Sequence, residues 1–284
     1  MKSKFWTKKK LSLILVLMAL PLFLGACATA REPITAESTG FWDRYIVYSF
    51  SRLIIWLSDL FGGNYGLGII VFTLIIRLVL VPLYHYQIKS TEKMQVVQPE
   101  MQALREKYAS KDPETQQKLE EEMAKLNEKY DYNPLSGCLP MLIQLPILMG
   151  LYQAISRTEV LSNGHFLWME LGQPDPYFIL PVLAAALTWY NTRLMTIGNP
   201  QSNQSMAAMQ WMMPAMILFM GATLPSAIAL YWVASNAFTI GQTLILNNPY
   251  KKREARLEKE KAERDLEKRL EKAKRHPRTT KKKR

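Results

Sequence analysis

Polar and apolar residues follow one another along this chain in long blocks, some with a helical period inside them. In the stretch FWDRYIVYSFSRLIIWLSDLF, Phe41, Tyr45, Tyr48, Arg52 and Trp56 recur every three or four positions, while Asp43, Arg44 and Asp59 lie elsewhere around the helix. That spacing predicts an amphipathic helix lying in a membrane interface over residues 41–64, ended by Gly62-Gly63-Asn64. Five apolar runs follow, at 65–84, 134–157, 177–197, 206–224 and 226–247, each close to the ~20 residues a bilayer span requires. The second contains Pro140 and Pro146 and is predicted to bend where neighbours satisfy the freed carbonyls. Residues 85–133 are polar, and Lys89–Tyr108 and Pro113–Tyr130 read as the two arms of an antiparallel hairpin turning at Ser110-Lys111. Asp112-Pro113 supplies an N-cap followed by proline at the first helical position, and Pro99 should bend or interrupt the first arm. Residues 158–176 and 198–205 are loops, and the tail, 248–284, holds a helix polar all round that cannot pack as a core helix. The predicted fold class is all-α: a five-transmembrane-helix bundle with a helical hairpin and an N-terminal interfacial amphipathic helix.

Charge gives these blocks an orientation. The 284 residues hold 36 Lys and Arg against 24 Asp and Glu, and 49% are hydrophobic. Residues 134–248 carry only 2 basic and 3 acidic side chains, whereas 249–284 carry 17 basic and 7 acidic. A soluble domain does not segregate charge this way, so the composition indicates a membrane protein with a basic tail. The 158–176 loop has Glu159, Glu170 and Asp175 but no Lys or Arg, which places it outside. The hairpin and the tail hold 25 of the 36 basic residues, which places both in the cytoplasm. Lys2, Lys4 and Lys8 to Lys10 precede an apolar stretch from Leu11 to Ala26, the layout of a secretory signal. Leu24-Gly25-Ala26-Cys27 resembles the lipobox of bacterial lipoproteins. It implies a signal peptide over 1–26, a lipidated Cys27 on the outer face of a bacterial cell membrane and an extracellular linker over 27–40; an uncleaved signal anchor is the alternative.

The same residue types exclude several chemistries. Two cysteines, Cys27 and Cys138, cannot build a disulfide framework or a Cys-only zinc site. His85, His165 and His276 all lie outside the apolar runs, which removes an intramembrane Ser/His protease and a histidine-ligated metal within the bilayer. No phosphate-binding loop motif occurs, so the chain carries no sign of an ATPase, and no cofactor or covalent catalysis is expected.

Arg77 is the residue that demands a reason. It lies about eight residues, or ~12 Å of helix rise, from the cytoplasmic end of its span, where a charge costs ~2.5–3.5 kcal/mol on insertion scales. It either snorkels to the headgroups or faces a hydrated cavity. Thr73 lies one turn away on the same face, and other spans carry Gln144, Gln153, Asn191, Asn236, Thr239, Gln242 and Thr243. Trp232, Asn236, Thr239 and Thr243 recur at helical spacing, giving the fifth span a polar face with an aromatic lip. These groups line a cavity or bond one another across helices. No Asp or Glu within the spans can pair with Arg77, so a hydrated Arg77 would attract something acidic and external. Met206, Met209, Met213, Met216 and Met220 repeat at 3-4-3-4 spacing on the fourth span. Such spacing fits ordinary helix packing, and equally a soft surface accepting varied apolar helices. The tail's basic runs suit anionic lipid or RNA phosphates without sequence preference.

The series Thr73-Leu-Ile-Ile-Arg77, Pro82-Leu83, Gln98-Pro99, Asn133-Pro134-Leu135-Ser-Gly-Cys138-Leu-Pro140, Gln144-Leu-Pro146, Asp175-Pro176-Tyr177 and Leu230-Tyr231-Trp232-Val-Ala-Ser235-Asn236 closely resembles the YidC membrane-protein insertases, relatives of the mitochondrial and chloroplast insertases. The resemblance covers about residues 41–250 and looks like the Gram-positive, lipoprotein-type branch. It implies a hydrophilic groove open to cytoplasm and lipid but closed outside, containing Arg77, Thr73, Gln144, Tyr152, Asn191, Trp232 and Asn236. Trp232 stands where relatives often carry tyrosine. The resemblance further implies a substrate slide on spans two and four, with Met209, Met213, Met216 and Met220, and a hairpin needed for insertion. Implied partners are nascent membrane proteins, the ribosome through the basic tail, the Sec translocon, the signal recognition particle pathway and anionic lipids. A small multi-spanning transporter with Arg77 as its anion site is the competing function, and a lipoprotein scaffold a third.

Overall fold

The computed structural model describes residues 32–133, 139–198 and 204–275. The expected signal peptide and Cys27 lie outside the described residues. The first helix is wound as a π-helix, α1 (Trp42–Val47), and continues as α2 (Tyr48–Asp59). The chain stops at Gly62 and Gly63, both with φ in the left-handed region that favours glycine. Asn64 then caps α3 (Tyr65–Val79) by accepting a hydrogen bond from the Leu67 N–H at 3.0 Å.

Within the expected first span, 65–84, the helix breaks at Leu80. Proline lacks the N–H that a continuing helix would need but is well placed in a first turn. Pro82 therefore sits at the start of a new helix, α4 (Val81–Lys107), and the two axes meet at 58°. The first hairpin arm thus begins eight residues before the position expected, and Pro99 lies inside it without ending it. The second arm, α5 (Pro113–Lys129), starts from Asp112, whose carboxylate accepts from the Thr115 N–H at 2.8 Å. Val97, Leu126 and Tyr132 form a small core of the hairpin's own, separate from the main core.

The remaining elements are α6 (Leu139–Ser156), the short α7 (Glu159–Ser162), the two-residue strands β1 (His165–Phe166) and β2 (Met169–Glu170), α8 (Ile179–Gly198), α9 (Gln204–Thr223), α10 (Ser226–Leu246) and α11 (Pro249–Arg275). β1 and β2 pair antiparallel, His165 with Glu170 and Phe166 with Met169. Helix α10 is central: it packs on α3, α6 and α8, while α9 leans chiefly on α8, and α6 also on α1 and α2. By length and hydropathy alone, one helix among the described residues, running from Ser226 into the tail, is long and apolar enough to cross a membrane. The bent pair α3 and α4 becomes a second if counted together. Gln144, Gln153, Asn191 and Arg193 dilute the apolar character of α6 and α8, so composition alone does not certify them as spans.

The main core gathers at one end of the bundle. Ile54, Leu57, Ile69, Phe72, Leu151, Ile155 and the run Ala227–Trp232 meet there, with Leu161, Met169 and Leu171 of the loop packed over them. The loop is bolted to α10: the Ser226 hydroxyl donates to the Glu170 carbonyl at 2.7 Å, and the Ser226 N–H to the Gln173 carbonyl at 2.7 Å. Asp175 fixes its far side, accepting from Trp168 Nε1 at 2.9 Å and the Leu180 N–H at 2.8 Å. Every residue of α10 from Ser226 to Trp232 is buried, whereas beyond Val233 most are only partly so. One end of α10 is therefore buried and the other partly exposed.

Candidate functional site

Below that buried end, α10 sends polar side chains to four neighbours. Tyr231 accepts at its hydroxyl from Gln144 Nε2 of α6 at 2.6 Å. Ser235, one turn on, accepts from Arg77 Nε of α3 at 2.6 Å. Asn236 accepts at Oδ1 from Asn191 Nδ2 of α8 at 2.7 Å, and donates through its own Nδ2 to Thr188 Oγ1 at 3.1 Å. Two turns further, the hydroxyls of Thr243 and Tyr84 lie 2.7 Å apart, tying α10 to α4 just past the bend. The interhelical bonds considered as one reading of these polar residues are therefore present. They leave Arg77 bonded to a neutral hydroxyl, with no carboxylate paired with it among the described residues. A guanidinium has five N–H donors, and one bond to Ser235 leaves the rest for water or a guest.

The other expected site residues are placed as follows in the fold. Thr73 is fully buried, and its hydroxyl donates to the Ile69 carbonyl of its own helix at 2.7 Å. Trp232 is buried, and its carbonyl accepts from Asn236 at 2.9 Å. The side chain that reaches Gln144 is Tyr231, because Tyr231 and Ser235 are four apart and share a face that Trp232 leaves. Tyr152 packs against the main core. On α9, Met213 and Met216 are exposed at 41% and 46%, and Met220 packs against the core. The Met209 side chain lies outside the described residues. Tyr231 and Ser235 stand within the motif Leu230–Asn236 but were given no site role, and Tyr84 carried no signal of its own; a four-residue step back from Thr239 would have found Ser235.

A cavity of about 540 Å³ lies elsewhere, between the arms of the hairpin. Ala103, Leu104 and Leu126 line it together with Lys107, Lys125 and Lys129. Glu100 on its edge is held below the usual carboxylate range by the Tyr130 hydroxyl first and by Lys129 second. It is a charged seam of the hairpin and does not reach Arg77. Among the described residues no group of His, Cys, Asp and Glu could hold a metal ion.

Residues 56–254 match the family described as 60Kd inner membrane protein. Among curated relatives, "Membrane protein insertase YidC 2" of Listeria innocua is 49% identical over 88% of this chain and 88% of its own. "Membrane protein insertase YidC" of Enterococcus faecalis is 51% identical over 94% of this chain and 95% of its own. "Membrane protein insertase MisCA" of Bacillus subtilis is 47% identical over 85% of this chain and 93% of its own. The solved structure described as "Active YidC insertase crystal structure with the first transmembrane domain resolved" superposes with a TM-score of 0.55 at 32% identity, over 74% of this chain. This chain matches about half of that longer one, 47% of its length. At half identity along nearly the whole length of several relatives, fold and descent are settled together: the chain belongs to the YidC-type membrane protein insertase family.

Proposed function

We propose that this protein inserts newly made membrane proteins into the bacterial cell membrane, with α3, α6, α8, α9 and α10 as its five spans, the 158–176 loop outside and the hairpin and α11 in the cytoplasm. The observation that carries the reading is Arg77, a cation in an apolar run, bonded to Ser235 and paired with no carboxylate among the described residues. In this orientation the buried end of α10 faces outward and the partly exposed half faces the cytoplasm. A hydrophilic groove open to cytoplasm and lipid follows, with Arg77 near its head.

A substrate's acidic or polar outer segment enters the groove and is drawn toward the guanidinium. Charge interactions there are several-fold stronger than in bulk water, because the effective dielectric constant falls from ~80 to ~20. The apolar segment meanwhile slides along α6 and α9 into lipid, with exposed Met213 and Met216 adapting to different side chains. Burial of roughly 20 apolar residues, at ~25 cal/mol per Å², supplies the free energy, so no nucleotide is required. The tail, α11, presents basic residues to ribosomal RNA phosphates or anionic lipid. Lipidation at Cys27 anchors the N-terminus outside. Cooperation with the Sec translocon and the signal recognition particle pathway belongs to the same reading.

Liposomes holding only this protein test it, with a ribosome-made single-span substrate bearing an acidic N-terminal tail and protease protection as the readout. Insertion by the parent protein and Arg77→Lys but not by Arg77→Ala is the expected result. Equal insertion by all three would remove Arg77 from the mechanism. No insertion above empty liposomes would overturn the insertase reading and return the transporter, with Arg77 as an anion site, to first place.

A further inference from the structure

Arg157 carries a second charge that the groove does not use. It stands just past the last residue of α6, 6% exposed. Its guanidinium meets the Asp43 carboxylate of α1 along one edge, Nη1 to Oδ1 at 3.0 Å and Nη2 to Oδ2 at 2.8 Å. Nε donates to the Glu32 carbonyl at 2.8 Å, and the Arg157 carbonyl accepts from the Ile34 N–H at 3.0 Å. One residue on, the hydroxyls of Thr158 and Ser51 of α2 lie 2.9 Å apart.

The same stripe of α6 receives the rest of the N-terminal helix. Gln153, one turn before Arg157, accepts from Trp42 Nε1 at 3.1 Å. At Gly150, a turn earlier still, a Cβ would stand 3.0 Å from Ile46 Cγ2 and 3.1 Å from Phe50 Cε2, so the helices lie close here and a side chain would need those two tips to give by a few tenths of an ångström. Gly150, Gln153 and Arg157, three and four apart, make one face committed to α1 and α2. Holding two helices together with desolvated charges is costly, and apolar residues of the same volume often do as well. What the bidentate pair adds is a single fixed geometry. Towards α9 the contrast is plain: α9 packs on α8 and α10, and no packing seam of comparable extent joins it to α6 among the described residues.

We propose that Arg157 is a positioning residue for insertion. With Asp43 it locks α1, α2 and residues 32–34 to α6 as one body, so that the bundle parts between α6 and α9 when a substrate helix leaves for lipid. Arg157 touches no substrate and acts through the placement of α6. The role rests on the insertase reading.

The experiment pairs Ile46→Cys with Gly150→Cys in a Cys138→Ser background, in vesicles, and identifies the disulfide by the mass of the joined peptides. With Arg157 present, the oxidised protein is expected to insert substrate within twofold of the reduced one. Arg157→Gln is expected to lower the maximal insertion rate at least fivefold while leaving the half-saturating substrate concentration unchanged. Arg157→Lys should recover part of that rate, and the disulfide should recover most of it in Arg157→Gln. Disulfide formation itself should slow about tenfold in Arg157→Gln. An oxidised protein that stops inserting, an Arg157→Gln protein at the parental rate, or one that the disulfide fails to rescue would each overturn the proposal. If the parent inserts no better than empty vesicles, the insertase reading and the positioning role both fall. The disulfide-formation rate then still tells whether Arg157 holds the helices.

Discussion

At the scale of single residues, the most informative contacts join a charged or polar atom to a helix far away in the chain. Ser235 is buried, and its hydroxyl is the acceptor for Arg77 Nε. Removing an acceptor from a charged donor costs ~1.5–3 kcal/mol. Ser235→Ala should therefore lower the unfolding temperature in detergent while Ser235→Thr keeps most of it; equal melting of all three would deny the bond any structural weight. Gly68 tests packing instead. A Cβ there would overlap Ser58 Oγ and stand 2.9 Å from the Ile54 carbonyl oxygen, where α2 crosses α3. Overpacking of this kind costs ~1–3 kcal/mol, so Gly68→Ala should melt earlier, and an unchanged transition would mean that the crossing is looser than the geometry shows. Arg77 was legible in the sequence because a charge in an apolar run stands out. The roles of Ser235, Tyr231 and Tyr84 were not, since a hydroxyl in an apolar run is unremarkable until its partner is known.

At the scale of elements, the hairpin shows what local rules can do. Asp112-Pro113 announced the start of α5, and the side chain caps it as that pair predicts. Asp112 is held down to about 2 by the Ser110 hydroxyl first and the Thr115 N–H second. A carboxylate whose folded pKa lies below its unfolded ~3.9 stabilises the fold above that value and loses the contribution as pH falls through the folded one. Glu100, beside Tyr130 and Lys129, and Asp131, beside Lys93, are shifted in the same direction. Cleavage of the hairpin by an acid protease should thus accelerate as pH falls from about 4 to about 2. In Asp112→Ala it should already be fast at the upper end of that range, and identical profiles would remove Asp112 as the cap that matters. Local rules also missed the break in the first apolar run. Pro82 was visible, but hydropathy ran on through Leu83 and Tyr84, and only the chain's path shows the turn of 58° at Leu80.

At the scale of the whole molecule, charge and packing divide the labour. The exposed α11 is predicted to bind ribosomes or anionic vesicles with an affinity that falls linearly, log against log, with salt. Deleting residues 251–284 should abolish that salt-dependent part and leave insertion of a pre-delivered substrate in place; unchanged binding would reassign the contact to the hairpin. Most helix positions (the break at Leu80 excepted), the polar hairpin, the basic tail and the anomaly of Arg77 were determined by the sequence itself, because periodicity and transfer free energy are properties of windows of about 20 residues. Tertiary structure alone decided which polar groups meet. Gln144 and Tyr231 are 87 positions apart, Asp43 and Arg157 are 114 apart, and Arg77 and Ser235 are 158 apart. Such pairs depend on where two helices cross and how each is rotated, and those angles are set by close packing at residues such as Gly68 and Gly150.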